Sequence, residues 1–237
     1  MTLADRTLPG LETPLRNGEA GRLLGAAPCS AFRCIVADPP WKYQTPGQIG
    51  KTLEHRPNRD NGLSRHGAGS VARYGGMTIE ELCAMAVQEL ADNNAHLYLW
   101  TTNKFMVEAH NVARAWGFEP KSVVTWGKVK SNGTPSMKMG YYFRGATEHF
   151  LFCVRGSLRL ASKTKPTLFL SEREPHSRKP EWFYRLCEEV SPGPYLELFS
   201  RRKRHGWASW GNEIASDVEM PNAPAHRPER EQPKTEI

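Results

Sequence analysis

The stretch FRCIVADPPW, residues 32–41, joins a short apolar run to an aspartate, two prolines and a tryptophan. An apolar run of this length predicts a buried β-strand. Proline fixes its own backbone and has no amide hydrogen to donate, so Pro39 and Pro40 end the strand directly after Asp38. The sequence therefore predicts a strand end at which one tight turn presents an acid, a backbone carbonyl and the ring of Trp41.

Three later segments have the apolar spacing of amphipathic helices. The first opens at Thr78 with Glu81 three residues on, the pattern of a capping box. The second stops at Gly117, and the third has Pro180 near its first turn. The predicted helices are TIEELCAMAVQELA (78–91), KFMVEAHNVARAWG (104–117) and SRKPEWFYRLCEEV (177–190).

Further apolar runs predict strands between and after these helices. Their alternation with helices indicates a mostly parallel α/β sheet with helices on both faces. In such sheets ligands bind beyond the carboxyl ends of the strands, where Asp38, Trp100 and Ser200 are expected to lie. The predicted strands are AHLYLW (95–100), KSVVTW (121–126), EHFLFCV (148–154), TLFLS (167–171) and PYLELFS (194–200).

Length and composition describe a globular chain with a basic balance. The 237 residues carry a net charge of +7, and the excess lies in the middle of the chain, which favours a polyanionic partner. Five dispersed cysteines without a C-x-x-C pair predict neither disulfides nor a zinc site, and no metal is expected. With no apolar run of about 20 residues and no signal peptide, we expect a cytoplasmic protein without membrane contact.

The chain is expected to hold one domain. Residues 31–214 contain all the predicted strands and helices, whereas residues 1–30 carry no clear assignment. Residues 215–237, rich in proline and charge, are predicted to form a disordered tail. Two connections, 42–76 and 127–146, are long for structureless loops and combine glycine, basic and aromatic residues. They are either flexible insertions or loops that close over a polyanion and stack on a base.

The residues 38–41 suit a planar exocyclic amine of a nucleobase as substrate. Its nitrogen lone pair is delocalised into the ring, so two acceptors aimed at its N–H bonds would make it more nucleophilic. Asp38 supplies one acceptor, and the Pro39 carbonyl supplies the other, because we expect no neighbouring amide to claim it. Trp41 offers a flat face for the base. The alternative is a proline turn that merely ends a strand.

Seven motifs in order resemble one family. ADPPW at a strand end is the signature of adenine-N6 methyltransferases related to the eukaryotic messenger-RNA adenosine methyltransferase, and the bacterial and phage members look nearest. The similarity covers residues 32–213. The other motifs are YGGMTIEEL (74–82), LYLWTTN (97–103), GYYFRGATEHFLFCVRG (140–156), HSRKPEWFY (176–184), PGPYLELFSR (192–201) and GWASWGNE (206–213).

The resemblance implies a Rossmann-like fold that uses S-adenosyl-L-methionine, with the catalytic strand ahead of the cofactor-binding strand. It implies that Asp38, Pro39, Pro40 and Trp41 form the target-amine pocket. It also implies a cofactor site, in which Lys179 contacts the methionine end, Arg201 the ribose and Asn212 the ribose and adenine. Glu213, the polar residue next to Asn212, is also expected to bind the cofactor, and so is Asp38. Surface salt bridges are the alternative for Lys179 and Arg201, and a loop-closing role is the alternative for Asn212.

The implied activity is N6-adenine methylation of nucleic acid, with DNA favoured over RNA, by a monomer or homodimer. We expect the two long loops to bind the substrate through Lys42, Tyr43, Tyr141 and Arg144. The basic run RRKRH (201–205) is interpreted as contacting phosphate, with a solvated loop as the alternative. Three functional alternatives stay open: RNA as substrate, cytosine-N4 transfer, and a catalytically silent nucleic-acid-binding subunit.

Overall fold

A computed structural model of the chain describes residues 32–42, 76–139, 142–173 and 178–223. Within them, four helices and a short 3₁₀ turn, Asn103–Phe105, connect the strands of one sheet. The helices are α1 (Ile79–Ala84), α2 (Val87–Leu90), α3 (Met106–Ala115) and α4 (Glu181–Val190). The strands are β1 (Phe32–Ala37), β2 (Ala91–Thr101), β3 (Glu119–Val129), β4 (Thr147–Arg155), β5 (Leu168–Glu172), β6 (Tyr195–Leu198) and β7 (Trp207–Trp210).

The sheet has the strand order β5-β3-β4-β2-β1-β6-β7. All neighbouring pairs are parallel except those of β4, which runs antiparallel to both β2 and β3. The interior strand β1 pairs with β2 on one side and β6 on the other. The chain changes direction across the sheet between β1 and β6, the position where open α/β sheets bind ligands. The predicted mostly parallel α/β sheet is confirmed.

Helices cover both faces of the sheet, as predicted. One face carries Ile35, Leu97 and Leu99 under α1 and α3, and the other carries Val36, Trp100 and Phe150 under α4. Because side chains alternate along a strand, neighbouring residues of β1 belong to different cores. Both cores end at the same carboxyl edge, and residues that follow β1 are therefore supported from both sides.

The helix predicted over 78–91 is interrupted at Met85 and Ala86, so the segment forms two helices, α1 and α2. The predicted capping box is present, but Met85 is extended, with ψ at 128°. The Leu82 carbonyl accepts a hydrogen bond from the Trp116 indole at 2.7 Å, and the Ala86 amide donates to the Pro221 carbonyl at 3.1 Å. Tertiary partners thus take the two groups that would have continued the helix.

The sheet contains one strand that the sequence did not predict. β7 spans four residues, too short for a clear periodic pattern, and is stabilised by pairing with β6. β2 begins at Ala91 rather than Ala95.

The packed domain extends past residue 214, where the tail was predicted to begin. Asp217 accepts hydrogen bonds from the Ser209 amide and hydroxyl, both at 2.9 Å. Met220 is buried in the core under α1 and α3. Residues 215–223 therefore belong to the fold, and the remainder of the predicted tail lies outside the described residues.

We predict that Gly211→Ala destabilises the protein. A Cβ at this position would lie 2.0 Å from the Ser200 carbonyl oxygen, a backbone atom that cannot move aside cheaply. We expect a loss of about 1–3 kcal/mol in the free energy of unfolding, measured by urea denaturation. Gly145→Ala is the control, because a Cβ there meets nothing within 4 Å. Equal stability of the two variants would contradict this account of the β6–β7 junction.

Candidate active site at the carboxyl end of the sheet

Hydrogen bonds to two neighbouring segments fix the residues that follow β1. The Pro40 carbonyl accepts a bond from the Met77 amide at 2.8 Å, and the Lys42 amide donates to the Met77 carbonyl at 3.2 Å. The Trp41 indole donates to the Trp100 carbonyl at 3.1 Å. This segment is thus tied both to the residue before the α1 cap and to β2.

The Pro39 carbonyl is not left unclaimed, and that expectation is wrong. It accepts a hydrogen bond from the Trp41 amide at 2.9 Å, because the turn brings this amide back over the carbonyl two residues earlier. A carbonyl oxygen has two lone pairs, so the bond leaves acceptor capacity for a second donor. It also fixes the direction of the Pro39 carbonyl beside Asp38.

Trp41 lies within the core. Only 5% of the residue is exposed, and its ring stacks on Phe105 with centroids 5.4 Å apart and planes at 16°. Phe105 thus occupies one face of the indole, which helps to anchor the turn. Stacking of Trp41 on a base stays a prediction.

Four charged side chains alternate in sign beside the turn, and we call them the charge cluster: Asp38, Lys179, Glu148 and Lys128. Lys179 Nζ lies 2.9 Å from Asp38 Oδ2 and 3.2 Å from Glu148 Oε2, and Glu148 Oε1 is paired with Lys128. Lys179 Nζ also lies 4.4 Å from the centre of the Trp100 ring. Asp38 is the most accessible of the four, with 39% of its side chain exposed, against 11% for Lys179.

Three parts of the fold bring the charge cluster together. Because β4 is antiparallel, its first residues lie level with the carboxyl ends of its neighbours, and Glu148 pairs in register with Trp126 of β3. Lys128 lies two residues further along β3, and so on the same face. Lys179 immediately precedes Pro180, the N-cap of α4. A cation is unfavourable at a helix N-terminus, and the two carboxylates offset that cost.

The charges shift one another's pKa values. Burial alone would raise the pKa of Glu148, but the positive charges of Lys179 and Lys128 outweigh it and lower the pKa to about 2. Burial would lower the pKa of Lys179, but Asp38 and Glu148 raise it above its ordinary value. Burial lowers the pKa of Lys128, and Glu148 only partly offsets this. Glu148 and Lys179 therefore support each other's charged forms.

A second polar group lies at the end of β6, next to β1. Glu197 accepts hydrogen bonds from the Tyr184 hydroxyl at 2.7 Å and the Ser200 hydroxyl at 3.2 Å, and burial raises its pKa. Phe199, which lies between Glu197 and Ser200 in the sequence, has a φ of 61°, a left-handed conformation that is rare for a bulky residue. Such backbone is concentrated at functional sites, where the surrounding structure holds it in place.

Three of the residues predicted to bind the cofactor lie in the turns after β6 and β7. Arg201 Nε lies 3.4 Å from Glu213 Oε1, and Asn212 is exposed beside Glu213. Because β6 and β7 are parallel neighbours, these turns meet at the same edge as Asp38. The structure therefore brings Arg201, Asn212 and Glu213 together, while Lys179 lies in the charge cluster.

The basic run after β6 is mostly engaged in ion pairs. Besides the pair of Arg201, Lys203 pairs with Asp217, and Arg204 makes two hydrogen bonds of 2.8 Å to Glu181. These carboxylates neutralise the cations that were interpreted as binding phosphate. The side chains also link the loop to α4 and to residues 211–217, and phosphate binding by the run stays a prediction.

Of the predicted substrate-binding residues, Lys42 and Arg144 are exposed. Tyr43 and Tyr141 lie outside the described residues, as does most of the connection 42–76.

The sequence analysis missed Glu148 and Lys128. Each is in phase with buried residues of its own strand: Glu148 with Phe150, and Lys128 with Trp126. A charged residue at an inward position of a strand is the signal that could have found them, because such a charge requires a partner. Trp100 completes the site, and its indole nitrogen is buried without a hydrogen-bond partner among the described residues.

Comparison with known proteins shows the family. The MT-A70 family pattern matches residues 32–213, most of the chain. The chain belongs to the MT-A70 family. MT-A70 methyltransferases depend on S-adenosyl-L-methionine, which confirms the expected fold class and cofactor.

Relatives from distant organisms align over most of this chain. The Type II methyltransferase M.MunI of Mycoplasma sp is 27% identical over 199 residues, 82% of this chain and 83% of that protein. The N6-methyladenosine RNA methyltransferase MTA1 of Cryphonectria parasitica is 28% identical, over 80% of this chain and 53% of its own length. The human N(6)-adenosine-methyltransferase catalytic subunit METTL3 is 25% identical, over 81% and 30%. This chain thus spans about half or less of these two eukaryotic relatives.

The residues at the carboxyl edge fit S-adenosyl-L-methionine in chemical character. The cofactor carries an ammonium and a sulfonium, a carboxylate, a ribose and an adenine. Carboxylates, cations and an amide are all present, in Asp38, Arg201, Glu213, Lys179 and Asn212, and the indole nitrogen of Trp100 is a buried donor that has no partner among the described residues. Within the described ranges, no helix is long and apolar enough to cross a bilayer.

We predict that Glu148→Gln reduces acid sensitivity. The pKa of Glu148 falls from 4.5 to about 2 on folding, so its contribution to stability is full above about pH 4.5 and is lost as the pH falls towards 2. Between pH 5 and pH 3 the wild type should therefore lose more unfolding free energy than the variant, measured by urea denaturation. Glu119→Gln, a substitution at an exposed position, should lose as much unfolding free energy as the wild type over the same pH range. Equal losses in Glu148→Gln and the wild type would contradict the ion pairing.

Proposed function

We propose that this protein transfers a methyl group from S-adenosyl-L-methionine to the N6 amino group of adenine in DNA. One observation carries the proposal. Asp38 directly follows β1, with its side chain 39% exposed, one oxygen held by Lys179 and the fixed carbonyl of Pro39 beside it. An accessible acceptor pair on a rigid turn suits an exocyclic amine, and membership of the MT-A70 family supports the same chemistry.

The turn acts by gripping the amine. Asp38 accepts one N–H of the amino group and the Pro39 carbonyl accepts the other, so electron density returns to the nitrogen. When bound, the cofactor supplies the methyl group that this nitrogen takes up as the bond from methyl carbon to sulfur breaks. Asp38 or solvent then accepts the extra proton on the nitrogen. Since both acceptors are held before the substrate arrives, the protein does not have to reorganise during the reaction.

Lys179 and Glu148 orient the catalytic carboxylate. Lys179 binds Asp38 Oδ2, and a carboxylate has a second oxygen that can receive the amine. Glu148 holds Lys179 at 3.2 Å, so the ammonium does not have to rely on Asp38 alone for compensation. Direct contact between Lys179 and the methionine end of the cofactor remains part of the proposal, and its Nζ has three donor hydrogens for these roles.

Arg201, Asn212 and Glu213 are proposed to hold the adenosyl part of the cofactor. All three lie in turns at the edge that carries Asp38, and their side chains are exposed or half exposed. Their polar groups match the ribose hydroxyls and the adenine edge in donor and acceptor character.

DNA is proposed as the substrate because of how the relatives align. The chain matches the Mycoplasma Type II methyltransferase over most of both lengths, whereas it matches the RNA and N(6)-adenosine enzymes over only part of theirs. In duplex DNA the adenine would have to be flipped out of the stack to reach Asp38.

Incubation with labelled cofactor and matched DNA and RNA oligonucleotides, followed by mass spectrometry of the nucleosides, separates N6-methyladenine from N4-methylcytosine.

We predict that Asp38→Asn lowers the rate of methyl transfer at least 100-fold. The amide keeps the size of the side chain but removes the negative charge that the amine requires. Transfer to an adenine-containing oligonucleotide under single-turnover conditions measures the rate. Glu119→Gln serves as the control for loss of an acidic charge elsewhere. Near wild-type turnover of Asp38→Asn would refute the assigned role.

We predict that Asn212→Ala weakens cofactor binding about tenfold with little change in stability, because the side chain is exposed and its amide is proposed to bind the cofactor. Isothermal titration with S-adenosyl-L-methionine gives the dissociation constant. Asn111→Ala, at an exposed position of α3, should bind as the wild type does. An unchanged constant for Asn212→Ala would remove this residue from the site.

A wild type that binds the cofactor and DNA but methylates nothing would indicate the catalytically silent alternative.

A further inference from the structure

The described residues between β3 and β4, 130–139 and 142–146, have hydrogen bonds of their own, and we call them the β3–β4 arm. Lys130 and Thr134 close a turn with a bond of 2.8 Å, and the Ser136 amide donates to the Lys128 carbonyl at 2.7 Å. The Lys138 amide donates to the Gly145 carbonyl at 2.8 Å. The backbone of the arm is therefore held in shape over residues 130–138 and at Gly145.

Large apolar side chains of the arm face solvent. Phe143 is 91% exposed, Tyr142 89%, Met139 83% and Met137 59%. Single exposed apolar residues are ordinary, but four such side chains within seven positions of the sequence are a concentration of exposed apolar surface, and such surface marks binding sites.

Every charge in the arm is positive. Lys130, Lys138 and Arg144 are its charged residues, and the sequence 130–146 contains no aspartate or glutamate. A surface that combines exposed aromatic rings with charges of one sign is complementary to a polyanion that carries planar bases. Its charge complementarity favours a nucleic-acid strand over an apolar protein surface.

The arm starts and ends beside the proposed catalytic residues. Lys128, which precedes it, belongs to the charge cluster, and its amide donates to the Ala146 carbonyl at 2.8 Å. Glu148, two residues after the arm, pairs with Lys128 and Lys179. A strand bound along the arm would therefore pass close to Asp38.

We propose that the β3–β4 arm binds an unpaired strand next to the target base, with Phe143 and Tyr142 stacking on flanking bases and Lys130 and Arg144 contacting phosphates. The inference rests on the proposed function and deepens it, because aromatic stacking requires bases that are not already stacked in a duplex. Base stacking tolerates any sequence. The arm thus supplies affinity for an opened strand, and the backbone that is already held over residues 130–138 lowers the cost of ordering that part.

The first test measures binding of a fluorescent adenine-containing single-stranded DNA and of its duplex by anisotropy at fixed salt. The wild type should bind the single strand more tightly. The double variant Tyr142→Ala/Phe143→Ala should bind the single strand at least tenfold more weakly, in line with the usual cost of losing base stacking. Val107→Ala, which removes a 72% exposed side chain from α3, should bind like the wild type. Unchanged titration of the cofactor shows that the variants are folded.

The second test measures the salt dependence of the same binding. Lys130→Gln and Arg144→Gln should each reduce the slope of log affinity against log salt by about 0.7, the value for one phosphate contact on a single strand. Lys121→Gln, an exposed substitution at the amino end of β3, should leave the slope unchanged.

Two outcomes would overturn the proposal. The first is equal strand affinity and equal KM for the double variant and the wild type. The second is a change in oligomeric state by light scattering without a change in strand binding, which would make the arm a protein interface. Failure of the proposed function is distinct: the wild type would then bind the strand through the arm but transfer no methyl group.

Discussion

The pairing of Lys179 with two carboxylates is the interaction on which the site depends. A lysine at the start of a helix and over an aromatic ring is nearly buried, so it requires compensation. Asp38 and Glu148 provide it, and they come from strands that are far apart in sequence but meet at one edge of the sheet. Lys128 adds a second positive charge beside Glu148, so the two lysines of the charge cluster match its two carboxylates in number. The carboxylate nearest solvent is Asp38, which is therefore both anchored and available.

The antiparallel strand β4 makes this arrangement possible. A parallel strand in its place would end, rather than begin, at the carboxyl edge, and Glu148 would lie at the opposite side of the sheet. The same reversal places the arm, which joins β3 to β4, at the carboxyl edge of the sheet. One topological feature thus supplies a partner for Lys179 and a connection that projects beside the proposed catalytic turn. On the other side of β1, the parallel strands β6 and β7 bring the proposed cofactor residues to the same edge.

Sequence patterns predicted the elements well where local signals are strong. The capping box at Thr78, the stop at Gly117 and the apolar stripe of α4 all lie where the structure has them. Patterns failed where distant groups compete for the backbone. The helix after Thr78 breaks because Trp116 and Pro221 take its hydrogen-bonding groups, and β7 forms only because β6 offers an edge. The end of the domain was placed too early, since the anchors of residues 215–223 are tertiary contacts.

The sequence by itself determined the strand that ends in Asp38, the α/β alternation and the family, because these depend on residue order and local stereochemistry. Only the tertiary structure decided the partners of each charge. It paired Lys179 with Asp38 and Glu148, buried Trp41 against Phe105, and neutralised most of the basic run after β6. The physical reason is that electrostatic and packing energies depend on distance in space. Residues such as Lys128 and Glu148 come into contact only when the sheet is assembled.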